Sequence, residues 1–229
     1  MTNRFAGGTR KKGSLHMFRL LRAVLAIAAT ALLLAACTIS SEKLLVKESE
    51  GSAPLPAHFI LYPYNDSTGA YVPANDPPAT FNLVGKHYVS TDMADTKGAV
   101  VARFLPLGPD LFLLAVTFAD DAVTSYGFAR YRDGVLAMAI SPNGETAKAL
   151  AAERAEAAPK RRRLIDQLPV SGETDAITVK SRAALDALAK LYADGRLPMG
   201  EPAVAYIGSD GGKPPARISA AREGWKLTP

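Results

Sequence analysis

The chain of 229 residues has one cysteine, Cys37, so it can form no internal disulfide and no zinc site built from several thiolates. Histidine is almost as scarce, with His16, His58 and His87 the three present. None of them lies in a His-Glu-x-x-His pattern, and a catalytic zinc generally takes three protein ligands. A Gly-x-Ser-x-Gly elbow is also missing, so a Ser-His-Asp hydrolase would need an unsignalled constellation around His58 or His87. No internal repeat is evident. Acidic residues are absent from the first 36 positions, which carry six cations: Arg4, Arg10, Lys11, Lys12, Arg19 and Arg22. The formal net charge of +5 therefore belongs to this leader. From Cys37 onward, 21 Lys+Arg remain of the total 27, against all 22 acids, so the basic balance is no footprint of nucleic-acid binding.

The leader has an order of its own. Arg19 and Arg22 precede an apolar run over 23–36, in which Thr30 is the most polar residue. As a helix it would extend about 21 Å, short of the roughly 30 Å hydrocarbon core, so a secretory signal is favoured over a permanent span. A more compact version of the signal starts at Met17, with residues 1–16 upstream of it.

The run ends in Leu34-Ala35-Ala36-Cys37, which resembles the lipobox of bacterial lipoprotein precursors. The resemblance covers the leader only. It implies cleavage before Cys37 and a diacylglyceryl thioether on that sulfur, with an ordinary cleaved signal or a helix burying the cysteine as alternatives. Two or three acyl chains would give durable membrane attachment, since each buried methylene contributes about 0.8 kcal/mol. Thr38 stands where Asp often marks inner-membrane retention in this class, so the analogy points to the periplasmic face of the outer membrane.

Domain organisation is expected as a signal over 1–36, a lipidated Cys37 with a flexible tether over 37–57, and a single α+β domain over 58–229. The tether expectation rests on polar residues, Gly51, Pro54 and Pro56, without a sustained apolar period. Strands are predicted at 59–62, 81–89, 99–105, 111–118, 125–132 and 135–140, with a last one at 203–207. A proline-rich loop holding Pro63, Pro73, Pro77 and Pro78 separates the first two. Asp133-Gly134 suits a two-residue hairpin turn, and Gly108-Pro109-Asp110 a second turn. The segment 111–118 is so continuously apolar that it should be covered on both faces. Helices are predicted over 145–157 and over 182–194, the latter capped by Ser181, with Leu185, Leu188, Leu191 and Tyr192 on one face and Gly195 as terminator. The fold expected is a mainly antiparallel β-meander or partial barrel with one or two packed C-terminal helices.

Four candidate features for chemistry are weak. Gly208-Ser209-Asp210-Gly211-Gly212-Lys213 is one residue short of a phosphate loop, and Pro214-Pro215 opposes the helix such a loop requires, so it reads as a surface turn. Lys160-Arg161-Arg162-Arg163 is the one dense basic run after the leader, and helical spacing spreads its members about 100° apart, favouring a solvated face or basic linker. Asp110 and Asp133 belong at one end of the meander and Asp120 and Asp121 at the other, about 20 Å away, so the two groups cannot share a metal. Asp92, Asp95, Asp120 and Asp121 could crowd one rim suited to calcium, but hydrated loop acids account for them better. No catalytic, cofactor or metal residue is assigned, and Cys37 is the single site residue. The expectation is a non-catalytic envelope lipoprotein that binds or positions a protein or cell-wall component. The alternatives are a carrier of a small amphiphile and a periplasmic hydrolase.

Overall fold

Short β-branched and aromatic runs broken by turn residues dominate between residues 58 and 140, and Ala/Leu-rich segments dominate after residue 140. The computed structural model describes residues 38–65, 68–72, 79–90, 99–118, 123–172 and 175–209. Nine strands come first: β1 (Ile39–Ser41), β2 (His58–Asn65), β3 (Ala70–Tyr71), β4 (Thr80–Val84), β5 (His87–Ser90), β6 (Val100–Pro106), β7 (Leu111–Phe118), β8 (Thr124–Arg132) and β9 (Val135–Ala139). Helices α1 (Gly144–Glu156) and α2 (Pro159–Ile165), strand β10 (Ile177–Thr178), helix α3 (Arg182–Ala193) and strand β11 (Ala203–Gly208) follow.

Eight of these strands pair in the order β8-β7-β6-β5-β4-β2-β11-β9, and β9 returns to β8. Every pairing in that circuit is antiparallel, so the α+β fold is built on a closed barrel rather than the partial barrel expected. Closure removes the two open edges that a partial barrel would leave. Two turns of the meander lie where the sequence puts them. At the β8–β9 turn, Asp133 and Gly134 both take positive φ, 52° and 78°.

Residue alternation sorts the side chains into two cores. Phe112 and Leu114 of β7, Phe104 of β6, Tyr88 of β5, Phe81 of β4, Phe59 of β2 and Leu136 of β9 belong to the barrel interior. Leu113 and Ala115 of β7 point the other way, with Phe128 and Tyr126 of β8, into a second core beneath the helices. The continuous apolar run of β7 is thereby covered on both faces, as expected. Helix α3 supplies Leu185, Leu188, Leu191 and Tyr192 to this outer core from one face.

Four expectations are corrected. The predicted strand over 81–89 is two strands, because Gly85 at φ 62° turns the chain and β4 pairs with β5. The basic run 160–163 keeps the solvated face expected of it but is no linker: it lies in a third helix, α2, whose Pro159 stands in the first helical turn. The helices therefore number three among the described residues, against the one or two expected.

The fourth correction concerns the tether. Residues 38–57 are structural: Ile39, Val46 and Leu55 are buried, so the folded body includes this segment rather than beginning at His58. Ser52 N donates to Phe104 O at 2.8 Å, Leu55 joins the barrel interior, and the Tyr88 hydroxyl both accepts from Leu55 N (2.8 Å) and donates to Leu55 O (2.6 Å). The polar composition misled because isolated apolar residues at irregular spacing fill gaps in a core without giving any period.

Candidate functional site

Strand β8 is the hinge of the architecture because its two halves have different partners. Residues 124–126 pair with β1, while residues 128–132 pair with β9. Gly127 stands between them. A Cβ there would meet Ile140 Cγ2 at 2.8 Å and the Ala139 carbonyl oxygen at 3.0 Å, so a side chain would push apart the crossing backbones. On the far side of β1, strand β10 runs parallel, placing Ile39 opposite Ile177. The chain thus enters its fold between two strands, with Thr38 and Ile39 already buried. Cys37, the one candidate site residue, and the whole leader lie outside the described residues.

Two grooves flank the helices. One, of about 530 Å³, has Leu105 and Leu113 in its floor and Glu50, Arg182, Asp186 and Lys190 on its rim. Those charges serve one another: Arg182 pairs with both Glu50 and Asp186, and Lys190 with Asp194 at 3.1 Å. Hydrogen bonds from the Lys47 backbone and from Arg182 hold the Glu50 carboxyl below its ordinary value. Partial burial acts to lower the Arg182 pKa, but bonds to Asp186 and Glu50 outweigh it and raise the value. The second groove, of about 360 Å³, lies between α1 and residues 165–170, lined by Leu150, Leu168 and Pro169 and bordered by the Arg154–Asp166 pair at 2.5 Å.

The barrel interior is lined by a chain of ring contacts that passes from strand to strand. Phe81 stacks on Phe59 at 5.2 Å, Phe59 meets Tyr88 edge-on at 5.4 Å, and Tyr88, Phe104 and Phe112 continue the series at 5.8 and 6.0 Å. An eight-stranded barrel is just wide enough for side chains to fill or for one small ligand, and these rings occupy part of that space. Burial raises the Tyr88 pKa above its ordinary value, although its bond to Leu55 acts in the opposite direction.

The residues singled out by sequence are dispersed. His58 is exposed on β2, with Nδ1 donating to Asn82 Oδ1 at 2.6 Å, and His87 lies on β5 opposite Arg103. Asp110 and Asp133 do share one end of the barrel, but each has its own cation, Arg130 at 3.5 Å and Arg132 at 3.4 Å. Asp92, Asp95, Asp120 and Asp121, and residues 210–213 of the glycine-rich turn, lie outside the described residues. Among the described residues no three His, Cys, Asp or Glu side chains converge as metal ligands.

The basic run divides into two roles. Arg162 donates to the carbonyl oxygens of Arg154, Ala155 and Ala157, serving the otherwise unpaired end of α1, and Arg161 meets the buried Glu153 at 2.8 Å. Lys160 and Arg163 face solvent. Sequence reasoning missed the ties from Arg182 to Glu50 and from Arg196 to Glu153, since each joins residues far apart in the chain. The β-branched pair Thr38-Ile39 was the available signal for β1.

The fold and its surroundings define a class: a closed antiparallel barrel with three helices over one wall and a chain entry wedged between strands. Compared with known proteins, the chain matches no family model, no curated protein and no solved structure.

Proposed function

We propose that the protein is a lipid-anchored envelope lipoprotein, attached through Cys37 and located on the periplasmic face of the outer membrane, whose barrel acts as a non-catalytic binding or structural module. The observation that carries this reading is the order of the leader: cations, a 14-residue apolar run ending in two small residues, and one cysteine. The burial of Thr38 and Ile39 is compatible with it, because cleavage before Cys37 would leave β1 whole. The partner is a protein or cell-wall component of the envelope.

Mass spectrometry of envelope material checks the anchor. The expected product starts at an acylated Cys37 and partitions with membranes, whereas Cys37→Ser leaves an uncleaved or non-acylated chain. A mature wild-type product with an unmodified thiol would sink the proposal. Crosslinking in intact envelopes, with Cys37→Ser as control, then identifies what the anchored body touches.

A carrier of a small amphiphile is the second reading, favoured by the closed barrel with an apolar interior. The ring chain through that interior weighs against it. Saturable binding of an apolar fluorophore, abolished by Leu114→Trp inside the barrel, would reverse the preference.

A further inference from the structure

The peptide bond after Cys37 leads directly into buried strand. Thr38 is 8% exposed and Ile39 0%. The Thr38 carbonyl accepts from Ile177 N at 2.9 Å, the Ser40 carbonyl accepts from Val179 N at 2.7 Å, and Ile39 lies opposite Tyr126 on the other side. Drawing β1 out as a spacer would break both ladders and expose Ile39 and Ile177. With β1 in place, two Cα steps of about 3.8 Å separate Cys37 from Ile39, a reach of less than about 8 Å. A flexible spacer of twenty residues would instead give a root-mean-square reach of about 25 Å.

Resting on the lipid-anchor reading above, we infer that the body is held flush against the bilayer, with the surface around the start of β1 facing the phospholipid headgroups. Register identifies that surface. Ser171 N donates to Ala176 O at 2.8 Å, beside Ile177, so the turn that begins at Ser171 lies about two strand spacings, roughly 10 Å, from the chain entry. Ile140, which leads into α1, comes against Gly127, the residue after the Ile39 partner Tyr126. The exposed residues beside the entry, Ser171 and Gly172, are small or polar. Such a surface allows close approach while the acyl chains supply the adhesion. The wall formed by β4 and β5 lies across the barrel from the chain entry: β4 is four strands from β8 in either direction, and its terminal Val84 is 51% exposed.

Because an acylated Cys37 leaves no native thiol, a single introduced cysteine can be labelled alone. Ser171→Cys and Val84→Cys, each with a donor dye, are reconstituted into vesicles carrying acceptor dyes on the headgroups, after mass spectrometry has verified acylation. Transfer from position 171 is expected to be at least about twofold more efficient than from position 84. A twenty-residue Gly/Ser insertion between Cys37 and Thr38 should abolish that difference while the protein stays membrane-bound. Equal transfer from the two positions in the uninserted, acylated protein would overturn the flush arrangement and leave the anchor standing. Absence of acylation would instead remove the anchor itself, so the two failures are distinguishable.

Discussion

Tyr192 lies flat on Phe128, with ring centroids 3.7 Å apart and planes 7° from parallel, and its hydroxyl is buried with no hydrogen-bond partner among the described residues. Burial pushes its pKa up to about 12, against a smaller opposing influence from Arg130. The folded state keeps this proton to about pH 12 while the unfolded chain releases it near pH 10. Stability is therefore intact below pH 10 and falls as the pH rises from 10 to 12, by on the order of 2 kcal/mol from this group. Tyr192→Phe should leave the neutral-pH melting temperature unchanged or raise it, since an unpartnered hydroxyl is removed, and should flatten the alkaline loss. Urea titrations at pH 7 and pH 11 test both points; a lower midpoint for the variant at pH 7 would show that the hydroxyl has a partner. Gly127 gives the opposite case. Gly127→Val places atoms against the Ala139 backbone, and a loss of about 1–3 kcal/mol is expected in the same titration.

Helix ends provide the tests at the scale of elements. Ser181 Oγ accepts from Ala184 N at 3.2 Å and donates to Gln167 at 2.6 Å, joining the start of α3 to the turn after α2. Ser181→Ala should cost about 1 kcal/mol, the usual loss of an N-cap. Arg162 serves the C-terminal end of α1, where a cation also meets the negative end of the helix dipole. Arg162→Gln is expected to lower stability by about 1 kcal/mol, whereas Arg163→Gln, at a solvent-facing position, should change it by less than about 0.5 kcal/mol. Thermal melts of the three variants decide this, and equal effects at 162 and 163 would mean that the basic run acts only as a charged face. The same elements show what was readable beforehand. Ser181 with the spacing of Leu185, Leu188 and Tyr192 marked α3 at once, while α2 was hidden because Lys160 to Arg163 give no apolar period.

For the whole molecule, the decisive segment is the one that reads least like structure. A free tether could be removed without consequence, but residues 38–57 place Ile39 in the outer core and Leu55 in the barrel. Deleting 38–57 should abolish the cooperative unfolding transition, and Ile39→Ala alone should cost about 2–5 kcal/mol, as truncations of fully buried aliphatic side chains do. A deletion variant with an unchanged transition would restore the tether. Burial of Ile39 also makes β1 part of the cooperative fold, since this strand extends the sheet beyond β8.

The sequence by itself determined the local elements: the β7 run, the Asp133-Gly134 turn and the α3 face all follow from period and turn chemistry within short windows. Only the tertiary structure decided that β9 returns to β8, that Gly127 lets two backbones cross, and that β1 is wedged between β8 and β10. These features depend on pairings between residues remote in the chain. A three-residue strand has too little pattern to announce itself, and becomes stable only when neighbours supplied from residues 126 and 177 cover both of its edges.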